Sequence, residues 1–139
     1  MARDPLKVLS VVRQRAVDQR RQALAACLAA EAAAGDRIRR LEEAVRLDQA
    51  RADAAPDPLL FHDIFLATRR HWRTEQQVSR VALAEAGHQA EDARAALAAA
   101  RLAAEAVDRL IAERAAAAQA EADRRAQHVL DDIARGLRK

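Results

Sequence analysis

The sequence predicts an all-α protein, a long two-helix antiparallel coiled-coil hairpin whose second helix is longer than the first. About fifty residues of strong helix formers precede a short break at residues 54–57, and nearly eighty follow it. Ala, the best helix former, makes up more than a quarter of the chain. Two long helices that meet at one short turn fold back on each other, so a hairpin is expected.

The start of each helix is marked by the same tripeptide, Asp-Pro-Leu, at residues 4–6 and again at 57–59. The Asp is a favourable N-cap because its carboxylate accepts a hydrogen bond from an otherwise unpaired backbone N–H. Pro at the next position lacks only an N–H that would have had no partner. We therefore expect helices at about 4–53 and 58–136, joined by a turn at 54–57.

Composition favours a narrow packing strip in a single domain that spans residues 1–139. The chain has two Phe, one Trp and no Tyr, whereas aromatic side chains supply the largest buried areas in a globular core. Three Gly and three Pro are too few for a β fold. Gly35 and Gly87 are the weakest points of the helices, and a bend is expected near residue 87. A short helical knuckle between 54 and 87 remains an alternative to a tight turn.

Apolar residues recur at three and four positions, the spacing of a coiled coil. The stripe on the first helix consists of Val17, Leu24, Cys27, Ala34, Ile38, Leu41 and Val45. The stripe on the second helix consists of Ala93, Ala96, Ala100, Ala103, Val107 and Leu110. Small Ala side chains in such a stripe let two helices approach closely.

The aromatic residues lie just after the turn and share one helix face with Thr68, as Phe61, Phe65 and Trp72. They fall on the extension of the second stripe, so they are either core residues or part of a partner site. Other faces of this segment carry Leu59, Leu60, Ile64 and Leu66, rimmed by Arg69, Arg70 and Arg73. A helix that is apolar on all sides needs more than one neighbour, which favours a partner site.

No constellation of residues indicates catalysis or metal binding. The four His are scattered, no Cys or carboxylate joins them at ligand spacing, and the three Gly are isolated. The single Cys27 lies on the apolar stripe and is interpreted as a small core residue. We predict a protein that is not an enzyme and uses no cofactor. No stretch approaches the roughly 20 apolar residues of a membrane span. The apolar stretch near the start of the sequence is also too short for a signal peptide, so a cytoplasmic protein is expected.

Both ends of the chain carry a distinctive pattern: residues 4–9 (Asp-Pro-Leu-Lys-Val-Leu) lead into an Arg-rich segment at 13–18, and residues 121–134 close with Gln, Leu, Asp-Asp, Ile and Ala. In these segments the chain resembles the flagellar FliJ family. The family has a terminal Gln, then Leu or Met, then Asp-Glu before an apolar residue and Ala. This chain departs from that pattern at His128 and Val129, where Lys is common, and at Asp132, where Glu is usual.

The resemblance implies a non-enzymatic subunit of a flagellar or type III protein export apparatus, similar to the central stalk of rotary ATP synthases. Its partners would be the hexameric export ATPase, the cytoplasmic part of the export-gate membrane protein, and export chaperones. It would lie in the cytoplasm, at the inner face of the bacterial inner membrane, and reach the membrane only through partners.

The resemblance also assigns residues by position. The end that bears both termini would enter the ATPase ring, with contacts from Leu6, Leu9, Arg13, Val17, Gln127, Leu130, Asp131 and Ile133. The gate would bind towards the turn, through Leu41, Phe61, Phe65, Arg69 and Trp72.

Two alternatives remain from the residues alone. The chain could be a structural coiled coil that buries its apolar turn against a second copy. It could also be a basic nucleic-acid-binding rod that uses Arg13, Arg15, Arg20 and Arg21 with Arg124 and Arg125. Acids are mixed through both helices and no aromatic platform lies near these bases, so no nucleic-acid partner is expected.

Overall fold

The structure, a computed structural model, consists of helix α1 (Pro5–Asp53) and helix α2 (Pro58–Leu137). It describes residues 4–138, apart from the side chain of Pro58. The two helices pack against each other, and α2 is the longer, so the predicted hairpin is confirmed. The single-domain expectation stays a prediction, and its residues 1–3 and 139 lie outside the described part of the chain.

The two helices begin where the sequence places them. Asp4 Oδ1 accepts a hydrogen bond from the backbone N–H of Leu6 at 3.1 Å. Asp57 Oδ1 accepts from the N–H groups of Leu59 and Leu60 at 3.2 and 3.5 Å. Each side chain satisfies donors that the helix itself leaves unpaired. α2 then continues through Gly87 as one helix.

The hairpin divides into two compact units, and each contains parts of both helices. The turn unit comprises residues 20–97, and the terminal unit comprises residues 4–19 with 98–138. In the turn unit Arg37 pairs with Glu75 at 3.2 Å, and Asp48 bonds to Trp72 at 2.9 Å. As residue numbers rise on α1 the partner numbers fall on α2, so the helices are antiparallel.

The terminal unit has the same antiparallel pairing. Ser10 Oγ donates a hydrogen bond to Asp108 Oδ1 at 3.0 Å, and Asp4 lies 3.6 Å from the guanidinium of Arg114. Its buried apolar residues are Val17, Ala104 and Val107. We call the strip on which each helix faces the other the seam.

The α1 stripe is confirmed. In the predicted α2 stripe Leu110 is wrong, whereas Ala93, Ala96, Ala100 and Ala103 are half-buried and Val107 is buried. On α1, residues 24, 27, 34, 38, 41 and 45 are half-buried along the seam. On α2 the buried residues are Ser79, Ala90, Leu97, Ala104 and Val107, while Leu110 is half-exposed. Ala90, Leu97 and Ala104 lie seven residues apart, the repeat of a coiled coil, so the seam follows the line of Leu97 and leaves Leu110 outside it.

Candidate partner-binding surfaces

The first turns of α2 expose several large aliphatic side chains beside the interhelical turn. Leu59 is 83% exposed and Ile64 is 57% exposed, with Leu60 between these values. Leu66 is 42% exposed. We call these four residues the turn surface. α1 ends at Asp53, so it covers only one side of this part of α2.

The seam opens on both sides of Phe61 and Phe65 into shallow grooves. One groove of about 220 Å³ also has Asp48, Arg51 and Ile64 in its wall. The other, of about 450 Å³, is lined further by Gln49, Asp53, His62, Leu66 and Arg69. Because both grooves are open to solvent, they suit contact with another macromolecule better than enclosure of a small ligand.

The aromatic stripe is divided between the seam and the surface. Phe65 and Trp72 are half-buried, whereas Phe61 is exposed. The indole Nε1 of Trp72 donates a hydrogen bond to Asp48 Oδ2 at 2.9 Å, which ties α2 to α1. Leu41 is also half-buried on the α1 stripe. This placement favours packing as the main role of Trp72, Phe65 and Leu41.

Asp48 is a seam residue that the sequence analysis did not single out. It lies three residues after Val45 on the α1 stripe, so its position was visible as a polar interruption of that stripe. A second such residue is Ser79, which is buried on α2 and whose hydroxyl has no hydrogen-bond partner among residues 4–138. In both cases the sequence places a polar residue at a position of an apolar stripe, and this could have identified them.

Three exposed arginines follow the turn surface on α2: Arg69, Arg70 and Arg73. With Leu66 they line a shallow groove of about 230 Å³. None of them forms an ion pair with a described residue, although nearby Glu75 is paired with Arg37. The positive charge predicted at this rim is therefore not neutralised within residues 4–138.

On α1, by contrast, oppositely charged side chains pair with each other along the helix. Arg46 donates two hydrogen bonds to the Glu43 carboxylate, at 3.0 and 2.6 Å. These bonds lower the pKa of Glu43 below its ordinary value of 4.5 and raise the pKa of Arg46. Both groups lie in solvent, where an ion pair contributes little to stability. The charges of Glu43 and Arg46 cancel each other, so the Glu43 carboxylate is not available to another arginine.

A second candidate surface lies on α2 in the terminal unit. A shallow groove brings Pro5 and Leu6 at the start of α1 to Ile111, Ala115 and Ala118 on α2. Residues 119–137 continue past this point, and every one of them is exposed. We call them the C-terminal extension. Within the described chain, no α1 residue covers it.

The extension exposes apolar side chains on consecutive turns, including Leu130 at 60% and Ile133 at 56%. Val129 and Leu137 are exposed with them. Gln127 donates a hydrogen bond to Asp131 Oδ1 at 3.0 Å, which joins two residues that the resemblance assigns to the ATPase ring. All four ring-assigned residues of α2 thus lie on the extension.

The ring-assigned residues of α1 are placed less uniformly. Leu9 and Arg13 are exposed, and Leu6 is half-buried at the start of the seam. Val17 is only 3% exposed and belongs to the core of the terminal unit. Its assignment to a ring contact needs correction, because a side chain buried between the helices cannot touch another molecule while the hairpin is closed.

The described residues contain no group of three or more His, Cys, Asp or Glu placed to hold a metal ion. Within the same residues, neither helix has a window apolar enough to cross a lipid bilayer. Comparison with known protein families, with curated proteins and with solved structures found no match to this chain.

Proposed function

We propose that this chain is a stalk-like, non-enzymatic subunit of a flagellar or type III protein export apparatus. Its terminal unit binds the hexameric export ATPase, and its turn unit binds the cytoplasmic part of the export-gate membrane protein. The subunit also escorts export chaperones, and it acts in the cytoplasm at the inner face of the bacterial inner membrane. The proposal rests on the resemblance of both chain ends to the FliJ family and on one structural observation.

That observation is the C-terminal extension. An isolated helix in water is only marginally stable, and helices in proteins gain most of their stability by packing an apolar face. Residues 119–137 have such a face, with Leu130 and Ile133 on it, and no described residue of α1 packs against it. A ring of subunits can supply the missing contacts around a single helix.

The charge of the extension fits insertion into a protein ring. The extension carries four acids and three arginines, so its charges nearly balance. Glu121 pairs with Arg125 at 3.1 Å and with Arg124 at 3.5 Å. Exposed pairs of this kind contribute only about 0.2–1 kcal/mol and can exchange partners at small cost as the surrounding subunits change state.

The decisive experiment measures ATP hydrolysis and oligomer size of the cognate export ATPase with and without this protein. The wild-type chain is expected to raise both. Leu130→Gln combined with Ile133→Gln is expected to abolish the effect, because the substitutions remove the apolar face of the extension. Leu102→Gln is the matched control, since Leu102 is 66% exposed in the same unit and outside the proposed contact.

Unchanged hydrolysis and unchanged oligomer size at saturating wild-type protein would contradict the ATPase contact. Gate binding is tested separately with the purified cytoplasmic part of the gate protein and Phe61→Ala. Phe61 is the exposed aromatic residue of the assigned set, so its loss is expected to weaken binding while helicity is retained.

Self-association is a second candidate function, favoured by the exposure of Val8, Val11 and Val12 on α1 in addition to the two surfaces above. A dimer could bury these side chains against a second copy. Sedimentation at micromolar concentration separates the two functions, because the proposed stalk is a monomer when free of its partners.

A further inference from the structure

We propose that the turn surface and its three arginines form a contact site for the surface of an anionic lipid membrane. This goes beyond the proposed function, in which the chain reaches the membrane only through protein partners. The site consists of Leu59, Leu60, Ile64 and Leu66 with Arg69, Arg70 and Arg73. Exposure, charge and their order along α2 carry the proposal.

The exposed aliphatic residues are concentrated at the very start of α2. Leu59, the most exposed of them, directly follows Pro58 at the first position of the helix. Leu60 and Ile64 lie one turn apart on a neighbouring face, and both are more than half exposed. Such a helix end can enter the boundary between headgroups and acyl chains while α1 and α2 stay packed along the seam.

Two of the arginines lie further along the outward side of the helix, whereas Arg69 borders a groove beside the seam. Leu59, Leu66, Arg70 and Arg73 are spaced seven, four and three residues apart, so they share one face. This face points away from the seam residues Phe65 and Trp72. Apolar side chains at the helix end, followed by Arg70 and Arg73 about three to four turns on, match the order of acyl chains and phosphates in a bilayer. The arginine stems can lie along apolar surface while the guanidinium groups reach the phosphates.

Charge distinguishes this surface from the C-terminal extension. Between Leu59 and Arg73 the chain carries three arginines and a single carboxylate, Asp63. None of the three arginines forms an ion pair with a described residue, whereas the extension carries four acids and three arginines and has no excess of positive charge. An excess of free positive charge beside exposed aliphatic side chains is complementary to anionic lipid. The nearly balanced extension is better suited to a protein.

The test is co-sedimentation of the full chain with vesicles of phosphatidylcholine alone and of phosphatidylcholine with phosphatidylglycerol. Binding is expected only to the anionic vesicles, and added salt is expected to weaken it. Leu59→Gln with Leu60→Gln is expected to reduce partitioning by at least roughly tenfold. Arg70→Gln with Arg73→Gln is expected to reduce it roughly 30-fold, because each basic residue near the membrane contributes separately.

Matched controls are Leu102→Gln and the pair Arg80→Gln with Arg101→Gln, which change exposed residues outside the proposed site. They are expected to bind like the wild type. Circular dichroism checks that all variants remain helical, as expected for substitutions of exposed residues by Gln, a good helix former.

Failure to bind anionic vesicles would overturn the proposal, as would equal binding to neutral vesicles or equal loss in the control variants. Capture of the gate protein through Leu59 and Arg70 without any vesicle binding would assign the surface to a protein and also overturn it. Because the vesicles contain only lipid, the result is independent of ATPase stimulation, so this proposal and the proposed function can fail separately.

Discussion

A polar contact between the helices helps to fix their pairing near the turn. The indole of Trp72 and the carboxylate of Asp48 are both partly buried and are joined at 2.9 Å. A hydrogen bond to a charged group contributes more than a neutral one, and an unpaired buried partner is costly. This bond holds the two helices in register close to the place where the chain reverses.

Trp72→Phe is expected to destabilise the protein by about 1 kcal/mol or more, because a smaller aromatic ring replaces the indole and the N–H donor is lost. Asp48→Ala is expected to cost a similar amount, and the double variant is expected to cost less than the sum. Chemical denaturation of the four proteins measures the coupling. Strict additivity of the two effects would show that the bond does not stabilise the fold.

Val17 is the clearest case of a residue whose role is packing. It is the buried apolar residue of α1 in the terminal unit, although the resemblance assigns it to the ATPase ring. Val17→Ala removes two methyl groups and is expected to lower the free energy of unfolding by about 1–2 kcal/mol. Thermal unfolding checks this. An unchanged melting temperature combined with lost ATPase binding would restore the ring assignment.

At the level of the helices, the two glycines of the turn unit are sites where stability can be gained. Gly87 lies within α2, and a Cβ there would meet the Glu31 carboxylate at 3.6 Å, an ordinary van der Waals distance. A Cβ at Gly35 would meet only the end of the Arg39 side chain, at 4.0 Å. Neither position has a positive φ, so neither conformation requires glycine.

Gly87→Ala is therefore expected to stabilise the protein by about 0.5–1 kcal/mol through helix propensity. Gly136→Ala is the matched control, because a Cβ there has nothing within 4 Å and the residue lies one position before the end of α2. The control is expected to change the denaturation midpoint little. A destabilised Gly87→Ala variant would mean that Glu31 cannot adjust to the added methyl group.

Considered as a whole, the molecule has two small cores and a long stretch of α2 outside them. One core surrounds Ser79, Ala90 and Leu97, and the other surrounds Val17, Ala104 and Val107. The extension at 119–137 contains no buried residue. Local opening is easiest where few apolar contacts must break, so stability is expected to differ strongly along the chain.

Amide hydrogen exchange measures this directly. Protection is expected to be highest around the two cores and lowest on the extension, whose backbone is helical but unpartnered. Addition of the cognate ATPase is expected to protect the extension selectively. Protection of the extension as strong as that of the cores in the isolated protein would indicate that another copy already covers it.

Much of the candidate site could be located from sequence, since exposed aliphatic residues and arginines cluster visibly after Asp57. The sequence alone could not show which residues of this segment pack against α1 and which remain on the surface. Phe61, Phe65 and Trp72 share one face, so their pattern is the same in both interpretations. Only the position of α1 beside them leaves Phe61 40% exposed and half-buries Trp72.

Local chemistry by itself determined where both helices begin, because Asp4 and Asp57 cap the first turns and the following proline suits the first helical position. It also determined the α1 stripe, whose large apolar residues show the period directly. On α2 the Ala-rich stretch has no such local preference. Tertiary packing placed Leu97 in the seam and left Leu110 half-exposed. It also brought Asp48 to Trp72. The physical reason is that the position of one helix decides which face of the other is covered.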